Sequence, residues 1–84
     1  MVPMEVERVQ TGVRIEKRLL KVLKALAEAR DMSLGDLLEG IVLHALEGKA
    51  AFSQETVHLI SDLKRIYGLE LRSEHSHKLR ERKK

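Results

Sequence analysis

The residues with the most specific chemistry in this chain sit between Gln10 and Arg14. The Arg14 guanidinium is a planar fork that can donate two parallel hydrogen bonds to O6 and N7 of guanine, and the Gln10 amide can pair in the same way with adenine. Gly12, between them, offers no side chain. Thr11, Val13 and Ile15 take the alternate positions, so a period of two puts a β-branched face opposite the face of Gln10, Gly12 and Arg14. That alternation predicts a short strand from about Arg8 to Ile15. A lone strand leaves its backbone N–H and C=O groups unpaired, and the simplest partner is the same strand of a second copy. Paired antiparallel, the two would present a polar ribbon of a width that fits the DNA major groove. On local pattern alone, Gln10 and Arg14 solvating an exposed sheet face is an equal reading.

A second group that could do chemistry is Ser33, Leu34 and Gly35, at the start of a helical stretch. Ser33 with Asp36 three residues on forms a variant capping box. The serine hydroxyl can accept from the amide of residue 35 or 36, and the remaining free amides carry the positive end of the helix dipole. Such a terminus can seat a phosphate, and Gly35 in the first turn lets backbone approach an anion closely. An ordinary N-cap is present whether or not an anion binds.

Helical periodicity supplies the elements that would position these groups. The first helix, Glu16 to Arg30, has Leu19, Leu23 and Leu26 on one stripe with Leu20 and Ala27 beside it. Lys17, Arg18, Lys21 and Lys24 lie largely off that stripe and read as a solvated face. The second helix, Leu34 to Glu47, carries an apolar face with Leu34, Leu37, Leu38, Ile41, Val42 and Leu46. That face is wide enough for two partners, the first helix and the same helix of a mate. Gly40 in mid-helix suggests a close backbone crossing, His44 reads as a surface residue, and Gly48 stands at the C′ position. A third amphipathic helix follows, with Ser53 as N-cap, Val57, Ile60, Leu63 and Ile66 on its stripe, and Gly68 at its end. Phe52 and Val57 could staple its start. The stripe has two candidate uses: packing back to enlarge a thin core, or capture of a partner protein.

V-R-I at 13–15, L-L-K-V-L-K-A-L-A-E-A-R at 19–30 and S-L-G-D-L-L-E-G-I-V-L-H-A-L at 33–46 together resemble the ribbon-helix-helix superfamily of DNA-binding proteins, the Arc/MetJ/CopG type. The resemblance covers a little under half of the chain. It implies a mainly α fold with one short strand, a βαα intertwined homodimer whose two strands form an intermolecular antiparallel ribbon, extended here by a C-terminal helix. It also implies that Gln10, Gly12 and Arg14 face the bases, and that Ser33, Leu34 and Gly35, with Lys17, hold flanking phosphates. The dimer core would include Val13, Ile15, Leu38, Ile41 and Val42. The chain departs from the family pattern at Gly12, which has no side chain to read a base, and at Glu16, where the family often has proline.

The organisation expected is an N-terminal arm over 1–7, a dimerisation and DNA-binding domain over 8–48, the amphipathic helix within 49–68, and a basic, disordered tail over 69–84. The chain of 84 residues has a formal net charge of +3 and no cysteine, which excludes disulfides, thiolate catalysis and sulfur-ligated zinc. Basic residues collect at Arg8, Arg14, Lys17, Arg18, Lys21 and Lys24, and again in the tail, which could add phosphate contacts or merely solubilise. His75 and His77 lack the companions of a metal site. No nucleophile–base pair, glycine-rich phosphate loop or HExxH is present, and one Tyr without Trp gives no stacking pocket. Neither an enzyme nor a cofactor is expected. No run has the length of a membrane span, and the opening MVPMEVERVQ does not read as a signal peptide. The expectation is a cytoplasmic, nucleoid-associated homodimer that binds double-stranded DNA sequence-specifically as a repressor or autoregulator, with assembly of dimers on DNA left open. The alternative is an antitoxin-like or accessory dimer that binds a partner protein through residues 53–68.

Overall fold

A computed structural model describes residues 4–82; Met1 to Pro3 of the arm and Lys83 and Lys84 of the tail lie outside the described residues. Three helices follow one another: α1 (Lys17–Ala29), α2 (Leu34–Leu46) and α3 (Gln54–Tyr67), with a single 3₁₀ turn at Ser73–His75. No strand or sheet occurs among the described residues. This corrects the expected fold class: the described residues form three helices preceded by a segment without regular secondary structure, and lack the strand and two-stranded ribbon that a ribbon-helix-helix requires. The physical reason is visible in burial. Every residue from Arg8 to Arg14 is exposed, Val13 at 74%, so the alternating pattern has no apolar surface to lie against. Alternation says that one face of a segment could be buried; it does not supply the pairing partner that makes a strand.

The helices begin and end as local chemistry dictates. Glu16 caps α1, its carboxylate accepting from the Leu19 amide at 2.8 Å, a favourable charge at the positive end of the dipole. Ser33 caps α2 by accepting from the Asp36 amide at 3.1 Å, and Ser53 caps α3 by accepting from the Thr56 amide at 3.2 Å. All three helices close in the same way, with a left-handed residue whose own amide and the next one reach back to two orphan carbonyls. The left-handed residues are Asp31 (φ 54°), Gly48 (φ 70°) and Gly68 (φ 68°). The amides after them bond Met32 to the Ala27 carbonyl at 3.0 Å, Lys49 to His44 at 2.8 Å and Leu69 to Lys64 at 2.8 Å. Asp31 is the departure from glycine, and Asp is among the residues that tolerate this conformation.

α1 is the central element, packed on both α2 and α3, which do not pair with each other. It supplies Val22, Leu26 and Ala27, buried at 4%, 1% and 3%, and α2 answers with Leu37. Val22 lies outside the expected stripe, and Leu19 of that stripe stands exposed at 37%. Leu59, Ile60 and Leu63 of α3 close the other side, with Phe52 and Met32 at the ends of the cluster. The third helix is therefore part of the core through most of its stripe. Val57 and Ile66 are not: they stand 44% and 69% exposed, and Phe52 packs into the core cluster, to which Val57 does not belong. After α3 the chain folds back, burying Leu69. No helix among the described residues is long and apolar enough to cross a membrane.

Because Leu26 touches both packing interfaces of α1, Leu26→Ala is expected to cost about 2–5 kcal/mol of stability, measured by urea unfolding followed by circular dichroism.

Candidate nucleic-acid interface

The cations singled out in the sequence are on the surface. Arg8, Arg14, Lys17, Arg18, Lys21 and Lys24 are all exposed, spread from the N-terminal segment into α1 with Glu16 the one acid among them. Gln10 and Gly12 are exposed with them, and a Cβ added at Gly12 would meet nothing within 4 Å. Arg14 has 83% of its side chain in solvent, yet it is not unpartnered. Its Nε donates to Glu81 Oε1 at 3.0 Å and its Nη2 donates to Glu81 Oε2. Arg8 is held similarly: Nε donates to Glu39 Oε2 and Nη2 to Glu39 Oε1, both at 2.9 Å.

These two forks set the local electrostatics. The hydrogen bonds from Arg8, with its charge in support, hold the Glu39 carboxyl below the usual carboxylate range against a smaller opposing effect of burial. The Arg14 hydrogen bonds do the same for Glu81. The guanidiniums are pushed further toward the charged form, Arg8 by Glu39 and then slightly by Asp36, Arg14 by Glu81. Both pairs are exposed and add little to stability; their importance is geometric, because they connect segments 31 and 67 residues apart.

Of the three residues expected at the phosphate seat, Ser33 and Gly35 are exposed and Leu34 is half-buried, with the cap in place. A Cβ at Gly35 would lie 4.0 Å from Ser33 Oγ, so the first turn is open on that side. No hydrogen bond or ion pair among the described residues joins Ser33–Gly35 to the Arg14 segment; the link between that segment and α2 is one helical turn further on, at Glu39. The five residues expected in a dimer core divide. Leu38 and Ile41 are half-buried, Ile41 against the intrachain core, and Ile15 is half-buried; Val13 and Val42 are exposed at 74% and 51%. Leu43 and Leu46, at 64% and 78%, extend the Val42 surface into an apolar face of α2 that stays exposed among the described residues. A Cβ at Gly40 would meet nothing within 4 Å, so the chain alone gives no reason for that glycine. His44 is exposed as expected, its Nδ1 2.7 Å from the Gly40 carbonyl oxygen.

Glu39 and Glu81 were not visible as site residues in the sequence, where each reads as one acid among many. Comparison with protein-family models, curated proteins and solved structures gives no match for this chain.

A depressed carboxylate pKa stabilises the folded arrangement above the ordinary carboxylate range and loses that contribution as pH falls through the depressed value. Acid titration followed by carboxyl ¹³C NMR is accordingly expected to show Glu39 and Glu81 protonating below the ordinary carboxylate range, with the Arg8 and Arg14 pairings opening over the same window.

Proposed function

We propose that this protein binds double-stranded DNA sequence-specifically as a homodimer and acts as a repressor or autoregulator of transcription. The observation that carries the reading is the set of six exposed cations between Arg8 and Lys24, with Glu16 the one acid among them, placed on the N-terminal segment and the start of α1. Fixed positive charge of this kind neutralises phosphates and releases counterions, while a side chain with a free bidentate edge reads a base. Arg14 is the guanine reader, Gln10 an adenine-capable amide, and Gly12 lets backbone approach the groove floor. Ser33, Leu34 and Gly35 hold a flanking phosphate through backbone amides, with Lys17 as a side-chain contact. The exposed Val42, Leu43 and Leu46 face of α2 takes the second copy, since one chain of this size builds only a small core and leaves this patch open. This role puts the protein in the cytoplasm with the nucleoid.

The other reading, an antitoxin-like or accessory dimer whose third helix holds a partner protein, is favoured by the exposure of Val57, Ile66 and Tyr67 on α3. It is disfavoured by the use of Leu59, Ile60 and Leu63 in the chain's own core.

The test is a fluorescence-anisotropy titration against the duplex upstream of the protein's own gene and a scrambled duplex of equal composition, at two salt concentrations. Expected are two chains per site, a preference for the native duplex of about a thousandfold, and a loss of about five- to a hundredfold in that preference for Arg14→Ala. Equal, strongly salt-dependent binding to both duplexes would leave only a backbone binder, and no binding at low salt would remove the DNA reading.

A further inference from the structure

Among the described residues, hydrogen bonds tie the extended segment 4–15 to the rest of the protein at two places only, and both are arginine–glutamate forks. Arg8 reaches Glu39 on α2, and Arg14 reaches Glu81 in the C-terminal tail. In each, the carboxylate sits on the side edge of the guanidinium, taking Nε and Nη2. A guanidinium has a second edge, formed by Nη1 and the other N–H of Nη2, and it carries two more parallel donors. That end edge is not used by either glutamate, and with 67% of the Arg8 side chain and 83% of the Arg14 side chain in solvent it is open to a ligand.

We propose that Glu81 and Glu39 are positioning residues for DNA recognition: each carboxylate grips the side edge of one arginine and leaves its end edge fixed, that of Arg14 for a guanine edge and that of Arg8 for a guanine edge or a phosphate. The inference rests on the DNA-binding reading above and adds residues that the cationic surface alone does not suggest. An unrestrained arginine must give up its rotamer freedom to make a bidentate contact, and a carboxylate on its side edge removes part of that cost beforehand. The two tethers also set where the extended segment lies, which no backbone ladder does. Arg8 thereby becomes a second reader or phosphate contact beside Arg14.

The sign of a substitution separates positioning from simple electrostatics. Removing an acid near a DNA-binding surface ordinarily tightens binding to every duplex through reduced repulsion, and Glu74→Gln, on the same tail and paired with neither arginine, serves as the measure of that effect. Glu81→Gln is expected to weaken binding to the preferred duplex about two- to fivefold, with no weakening on the scrambled duplex, and Glu81→Asp is expected to recover part of the loss. In an Arg14→Ala background, Glu81→Gln should behave as Glu74→Gln does. Glu39→Gln should weaken binding through Arg8, on the preferred duplex alone where Arg8 reads a base and on both duplexes where it holds a phosphate. A Glu81→Gln protein that binds the preferred duplex more tightly, by as much as Glu74→Gln, would overturn the proposal and make the tail carboxylate a competitor for DNA. If the wild-type chain binds neither duplex, the DNA reading itself falls and this proposal with it. The Arg14 Nε–H resonance in ¹⁵N NMR, compared between wild type and Glu81→Gln, shows separately whether the fork forms in the free protein.

Discussion

Leu26 is the side chain on which the three helices converge. At 1% exposure it is the most deeply buried of the core residues, and it lies on the one helix that packs against both others. A chain this short has little apolar surface to spend on two interfaces, so the second and third helices each meet α1 along a narrow strip: Leu37 and Ile41 from α2, Leu59, Ile60 and Leu63 from α3. Everything peripheral follows. Among the described residues Val42, Leu43 and Leu46 of α2 are left exposed, the tail adds Leu69 to the core, and residues Arg8 to Arg14 stay in solvent.

That segment is instead governed by charge. Its two arginines face solvent, and each is held by a single carboxylate brought from a distant part of the chain. Exposed ion pairs contribute little to folding because water screens them, but two bidentate forks restrict orientation far more than two lone lysines would. A surface that is positively charged and also locally ordered is suited to a polyanion of regular geometry, and this supports the proposed duplex DNA over a flexible acidic partner. The exposed apolar face of α2, with Val42, Leu43 and Leu46, is where the proposed second copy would pack.

The helical part of this structure was legible in the sequence because its determinants are local. Stripes at i, i+3, i+4 and i+7 located all three helices, Ser33 and Ser53 marked two of their starts, and Gly48 and Gly68 marked two of their ends. Glu16 as the cap of α1 and Asp31 as its left-handed terminator were harder to see, since neither is the favoured residue for its role. The strand failed for a different reason. Strand formation depends on a pairing partner elsewhere, and eight residues of alternation at Arg8–Ile15 contain no information about whether that partner exists. Glu39 and Glu81 escaped for the same reason: separations of 31 and 67 residues leave no periodic trace, and only the folded chain brings them to Arg8 and Arg14.

The most direct measurement of the account is a ¹H–¹⁵N chemical-shift map of the protein titrated with duplex DNA from upstream of its own gene. The account predicts that the largest changes fall on residues Arg8 to Lys24 and on the Ser33–Gly35 amides, with the Leu26 core unmoved. Changes confined to α3, or none at all at low salt, would contradict it.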